Sequence, residues 1–381
     1  MGWGARGDGH GCGGSGLVRP ELAAPATGAL LLRLIRRLVT AAGSLALVLS
    51  GWVVWAAARS RPELPGSPMP TPPPLPPARI VLVPGRGEFF VREAGDPGRP
   101  TVLLLHGWMY PADLTWFPAY GPLAEDHHVI ALDHRGHGRG PRPSQPYRLQ
   151  DVADDAAALV QHLGVGPVVA VGYSMGGPIA QLLWQRHPQL VRGLVMCATS
   201  AVFNGALRDR LLWRGMGALQ VILRMVPRQW WEQLYLAQAR GALPVKVSRM
   251  ITEDTPPELQ ALLPWIIGEL DRDSAEDIAE AGRELSRHDA RAWIGDIDVP
   301  AAVLVTARDA LVPVDRQRDM ARRVPGAVVY ELPMDHDGAI ARADLFVPAL
   351  RQAVAGVLLS ACLAGEAPTR IRSGSSGSDS S

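Results

Sequence analysis

The chain has 381 residues, 47% of them hydrophobic and 20% charged, a composition that supports a sizeable packed core. Its net charge of +1 argues against a nucleic-acid or polyanion partner. Three scattered cysteines, Cys12, Cys197 and Cys362, argue against a disulfide framework and lack the spacing of a zinc site.

Residues 1–28 are rich in Gly, Arg and Pro and are expected to be disordered. Within 29–60, the 21 residues from Leu38 to Ala58 carry no charge, enough for a helix to span a bilayer. Arg33, Arg36 and Arg37 precede the run and Arg59 and Arg61 follow it, a bias that favours a cytoplasmic N-terminus. Trp52 and Trp55 fall near the far interface. This predicts a signal-anchor helix with the body outside the cytoplasm. The alternative is secretion after signal-peptide cleavage, for which Ala56-Ala57-Ala58 offers a site. Residues 61–77 ("RPELPGSPMPTPPPLPP" from Arg61) form a stiff proline-rich linker, and 364–381 a flexible tail.

Between them strands and helices alternate. "EFFVREAG" reads as a short strand, and "PTVLLLHGW" and "HHVIALD" as strands buried on both faces. "LQDVADDAAALVQHLG" has helical spacing and ends at Gly164, a C-cap. "PVVAVGYS" is a strand, "GGPIAQLLWQRHP" a helix stopped by Pro188, and "VRGLVMCATS" a strand. After a long interruption follow the strand "AAVLVTARDALVP", a helix from about Val314, the strand "AVVYELP" and a last helix from about Ala339. The pattern predicts an α/β fold, a mostly parallel central sheet with helices on both faces, over 78–200 and 299–363. Reactive groups in such sheets gather beyond the carboxyl ends of the strands.

Gly172-Tyr173-Ser174-Met175-Gly176 lies between one such strand and its helix and spells G-x-S-x-G. A serine nucleophile exposed on a tight strand-to-helix turn needs small neighbours, because the two elements nearly touch there. The helix N-terminus beside it favours an oxyanion. Serine also needs a base, usually a histidine oriented by a carboxylate. After Ser174 come only His187, His288 and His336, and only His336 follows a late strand. Asp309 ends the strand before it.

The order Ser174, Asp309, His336 is that of the α/β-hydrolases, and the chain resembles this superfamily from about Glu88 to Val357. His106-Gly107-Trp108 resembles the family's HG-x loop, and Asp133-His134-Arg135-Gly136-His137-Gly138 its D-x-R-G-x-G turn, a structural element. The resemblance implies an oxyanion hole built from the backbone N–H groups of Trp108 and Met175. One departure is that Asp335 and Asp337 flank His336, where the family often has a glycine before the histidine. Residues 201–298 stand where the family inserts a helical cap. Five of the eleven tryptophans fall there: Trp213, Trp230, Trp231, Trp265 and Trp293. They form the cap's own core or, with Leu211, Leu212, Leu262 and Leu263, line an apolar acyl pocket or a membrane-facing patch.

The resemblance therefore implies a serine hydrolase that cleaves carboxylic esters with lipophilic acyl groups and needs neither metal nor organic cofactor. Esterase, monoacylglycerol-lipase and cofactor-free perhydrolase branches fit equally. Two alternatives stand beside it: an acyltransferase using the same triad, and a non-catalytic binding protein on the same fold. The expected partners are a small ester or lipid substrate and, through the N-terminal helix, a membrane.

Overall fold

The computed structural model describes residues 71–142, 144–204, 259, 261–270 and 272–366. The apolar N-terminal run, the 61–70 part of the linker, the tail from 367 and Leu211, Leu212, Trp213, Trp230 and Trp231 lie outside the described residues.

One eight-stranded sheet carries the fold. Its strands are β1 (Ala78–Val83), β2 (Gly87–Ala94), β3 (Thr101–Leu105), β4 (His128–Leu132), β5 (Val168–Tyr173), β6 (Val191–Cys197), β7 (Ala301–Thr306) and β8 (Val328–Leu332). Their spatial order is β1-β2-β4-β3-β5-β6-β7-β8. β2 pairs antiparallel with β1 and β4, and every later pairing is parallel.

The continuous apolar runs make sense in this register. On β3, Leu103 and Leu105 face one core and Val102 and Leu104 the other. β5 divides Val168 and Ala170 from Val169 and Val171 in the same way. On the first face lie α2 (Leu149–Leu163), α3 (Gly176–Arg186) and α6 (Val314–Arg323). On the second lie α1 (Ala112–Ala124) and α8 (Ala343–Glu366). Gly164 closes α2 in the left-handed conformation, φ 67°. The stretch Ala343–Leu363 of α8 is long and apolar enough to cross a membrane, yet Phe346, Leu350, Ala353, Val354 and Val357 pack it onto the sheet. Phe346 lies 5.6 Å from the Tyr173 ring and 6.3 Å from that of Trp116.

Two elements go beyond the sequence expectations. α1 carries Pro118 and Pro122 inside it, which hides its helical signal. β1 is an edge strand with Ile80 and Leu82 exposed.

The insertion between β6 and β7 leaves and returns through a neck. Val202 pairs with Asp289, and the Ala290 N–H donates to the Ala201 carbonyl at 2.8 Å. Its described part holds α4 (Leu263–Leu270) and α5 (Ala275–Leu285). Trp265 is buried edge-on to Phe117 of α1, and Trp293 stacks on Trp184 of α3. These two tryptophans therefore pack against the sheet's own helices. α4 and α5 also dock on the loop after β4. Arg139 reaches Glu269 at 2.6 Å, Arg142 reaches Asp277 at 3.1 Å, and the Gly138 N–H donates to Asp273 at 2.6 Å.

Burial pushes the Asp273 carboxyl up to about 8, against the hydrogen bond from Gly138. A carboxyl in an unfolded chain titrates near ~3.9. Between the two values the folded protein holds the extra proton, so this contribution to stability is present below the unfolded value and is lost as pH rises towards about 8. Asp273→Asn keeps an acceptor for Gly138 and removes the titration. The loss of melting temperature between pH 5 and pH 8 should shrink in this variant; an equal loss in both proteins would contradict the account. Phe346→Ala, which empties the space beside the paired Trp116 and Tyr173 rings, should cost ~3–5 kcal/mol in urea unfolding. A cost under ~1 kcal/mol would mean that the site collapses freely.

Candidate active site

Ser174 sits at the top of the sheet, one residue beyond β5, with φ 52°. That left-handed backbone is costly for a serine and must be held from outside. The Ser174 N–H donates to the Cys197 carbonyl of β6 at 2.9 Å. Its own carbonyl accepts from the Gly177 N–H at 2.9 Å and from the Thr199 hydroxyl at 2.7 Å. The glycines are required by contact as much as by conformation. A Cβ on Gly172 would lie 2.2 Å from the Gly176 carbonyl oxygen, and one on Gly176 only 2.0 Å from that of Leu105.

The structure brings the three sequence-predicted side chains together. His336 Nε2 lies 3.0 Å from Ser174 Oγ, and His336 Nδ1 lies 2.8 Å from Asp309 Oδ2. Asp309 follows β7, and His336 lies in the loop after β8, ahead of the short helix α7 (Gly338–Ala341). Burial acts to raise the Asp309 carboxyl. The bonds from His336, from the Val312 N–H at 2.9 Å and from the Thr306 hydroxyl at 2.7 Å outweigh it and hold the carboxyl below its ordinary value. The Leu311 N–H at 2.8 Å and the Gln317 amide at 3.1 Å complete its shell.

Met175 N-caps α3, so its N–H belongs to the first turn, where donors have no partner within the helix. The loop after β3 lies against Ser174: a Cβ on Gly107 would sit 3.4 Å from that of Ser174. Next to it, the Trp108 indole Nε1–H donates to the Ile278 carbonyl of α5 at 2.7 Å, and Met109 has φ 72°. His106 is fully buried. Its Nε2 accepts from the His134 N–H at 2.9 Å, which leaves Nδ1–H to donate to the Gly107 carbonyl at 2.8 Å. Burial, with His134 and His137 close by, keeps this imidazole well below its ordinary value and therefore neutral. The turn after β4 is built from buried pairs. Asp133 accepts from the Ala112 and Arg139 N–H groups at 2.7 and 2.8 Å, and Arg135 grips Asp155 at 2.6 and 2.7 Å.

Several supporting residues escaped the sequence reading. Tyr173 donates its hydroxyl to the His336 carbonyl at 2.5 Å, and Tyr110 donates to Asp337 at 3.2 Å. These contacts span 163 and 227 residues, and no local pattern announces them. Gln317 left a trace: on the arginine-rich α6 it shares the buried face with Met320 and Ala321. Among the described residues no group of His, Cys, Asp and Glu is arranged to hold a metal ion.

Comparison with known proteins agrees with the fold. The alpha/beta hydrolase fold family matches residues 100–340. The pimeloyl-[acyl-carrier protein] methyl ester esterase of Chromobacterium violaceum is 31% identical over 273 residues, covering 70% of this chain and 97% of that protein. The crystal structure of the enol-lactonase from Burkholderia xenovorans superposes with a TM-score of 0.58 at 23% identity, covering 74% of this chain and 100% of the other. That of a membrane phospholipase A, described as a bacterial virulence factor, gives a TM-score of 0.59 at 22% identity and covers 87% and 99%. The two superpositions speak for the fold, and the esterase and the family match speak for common descent. The chain belongs to the alpha/beta hydrolase fold family.

Proposed function

We propose that the protein is a serine hydrolase that cleaves carboxylic esters with lipophilic acyl groups, held at a membrane by its N-terminal helix with the body outside the cytoplasm. The observation that carries the chemistry is the chain of contacts from Ser174 Oγ to His336 at 3.0 Å and on to Asp309 at 2.8 Å. In this reading His336 Nε2 takes the Ser174 proton as Oγ attacks the ester carbonyl. Asp309 fixes the tautomer with Nδ1–H and stabilises the imidazolium. The backbone N–H groups of Met175 and Trp108 receive the oxyanion. His336 returns the proton to the leaving alcohol, and water, activated by the same imidazole, hydrolyses the acyl-enzyme.

The lipophilic preference draws on the apolar residues of the insertion and on Leu311, which is exposed two residues after Asp309. The membrane reading draws on the uncharged run from Leu38 to Ala58 and its flanking arginines. An ester-cleaving relative supports the reaction class, and the phospholipase likeness makes membrane lipids a reasonable substrate to include.

The full chain in mild detergent should turn over p-nitrophenyl esters, with a maximum at one acyl length between acetate and palmitate. Ser174→Ala should reduce kcat by on the order of 10⁴-fold or more and abolish labelling by a fluorophosphonate. A folded protein with neither turnover nor labelling would instead be a non-catalytic binding protein. Added alcohols that divert the acyl group into new esters would show a transferase. A phosphatase reporter fused after Pro77 should be active only if the body is exported.

A further inference from the structure

The loop after β3 is held by two different parts of the molecule. On the core side, neutral His106 bonds the Gly107 carbonyl and the His134 N–H, both buried. On the other side, Trp108 is fastened by its indole to the Ile278 carbonyl of α5, 170 residues further along the chain. Between them lies the backbone N–H read above as an oxyanion donor, and beyond them Met109 in the left-handed region, φ 72°. A strained loop of this kind keeps its shape only while its surroundings hold it.

The surroundings on the insertion side are themselves docked by a few directed contacts. Asp273, between α4 and α5, accepts from the Gly138 N–H at 2.6 Å, and Glu269 of α4 meets Arg139 at 2.6 Å. Arg142 and Asp277 add a more exposed pair at 3.1 Å.

We propose that Trp108 is a positioning residue through which the docked insertion sets the oxyanion hole: the indole bond to Ile278 holds the backbone N–H of Trp108 at the nucleophile. The inference rests on the serine-hydrolase reading. It adds that any movement of α5, as a substrate enters or a product leaves, carries the oxyanion loop with it. The hole is fully formed only with the insertion seated. The indole N–H is engaged by Ile278, so its loss should act on the developing charge rather than on ground-state binding.

Two variants of the full chain test this. Trp108→Phe keeps the ring and the main-chain donor but removes the indole N–H. Asp273→Ala loosens the insertion without touching the loop. Each is measured for thermal unfolding, for kcat and KM on the preferred p-nitrophenyl ester, and for inhibition by an alkyl boronic acid, which forms a tetrahedral adduct on the serine. Trp108→Phe should lower kcat about tenfold, less than outright loss of an oxyanion donor. KM should stay within about twofold, and boronate affinity should fall in parallel with kcat. Asp273→Ala should show a smaller loss in the same direction. The double variant should be no worse than Trp108→Phe, because both break one linkage.

Unchanged kcat and boronate affinity in Trp108→Phe would overturn the inference, as would losses that multiply in the double variant. If Trp108→Phe does not fold, Asp273→Ala decides alone, by whether boronate affinity falls with kcat or stays. A wild type that neither hydrolyses ester nor takes up fluorophosphonate defeats the hydrolase reading itself. An active, labelled wild type with an indifferent Trp108→Phe defeats only the coupling.

Discussion

The left-handed backbone of Ser174 is the constraint around which the rest is arranged. A serine at φ 52° persists only if its N–H and carbonyl are both engaged, and here they are held by Cys197, Gly177 and Thr199. Those partners dictate the neighbourhood. β6 must pair beside β5 to offer the Cys197 carbonyl. Thr199 then lies where a Cβ on Gly177 would stand, at 2.2 Å from its hydroxyl. Helix α3 must begin at once, which brings it against β3 and leaves no room for a side chain at Gly176. The parallel order of the central strands brings the ends of β5, β7 and β8 to one edge of the sheet. From there Asp309 and His336 reach the serine.

Buried charge around this edge is treated in two ways. Where a charge is kept, it is saturated. Asp309 accepts from backbone, hydroxyl, amide and imidazole, and Arg92 grips fully buried Asp113 with two bonds of 2.7 Å. Where no carboxylate is at hand to balance a charge, the group is held neutral. Burial pushes His134 down to about 3 and His137 to about 4. Three imidazoles can therefore cluster, with the His106 and His134 rings only 3.9 Å apart and that of His137 5.3 Å from His106, a packing that charged rings would not tolerate. Their neutrality makes the loop after β3 a fixed wall beside Ser174.

What the sequence made legible was what local pattern encodes. Alternation of apolar runs with helical spacing foretold the mostly parallel sheet, and the Gly164 cap was visible as a glycine at the end of a periodic run. Ser174, Asp309 and His336 could be picked out because each sits at the end of a recognisable strand. α1 was missed because Pro118 and Pro122 interrupt its propensity while tertiary burial of Trp116 and Leu123 sustains it. β1 was missed because half of its apolar residues point outward at the sheet edge. The ties from Tyr173, Tyr110, Trp108 and Thr199 are encounters across the chain between ordinary residues, so no spacing betrays them.

Those unannounced ties decide how rigid the candidate site is. Tyr173, the residue before Ser174, holds the backbone of His336, so the serine and the imidazole share a link independent of their own hydrogen bond. Tyr110 joins the loop after β3 to Asp337, next to the histidine. Where a glycine often precedes the histidine in the family, this chain brackets His336 with two carboxylates, and one of them serves as the acceptor that draws the loop in. Burial raises the Asp337 carboxyl above its ordinary value, against the hydrogen bond from Tyr110. A bracket of this kind favours one placement of the imidazole. Electrostatic catalysis depends on groups that are in place before the charge develops. In the proposed mechanism that preorganisation would come from Tyr173, Tyr110 and Trp108, whose bonds tie the loops around Ser174 to one another and to α5.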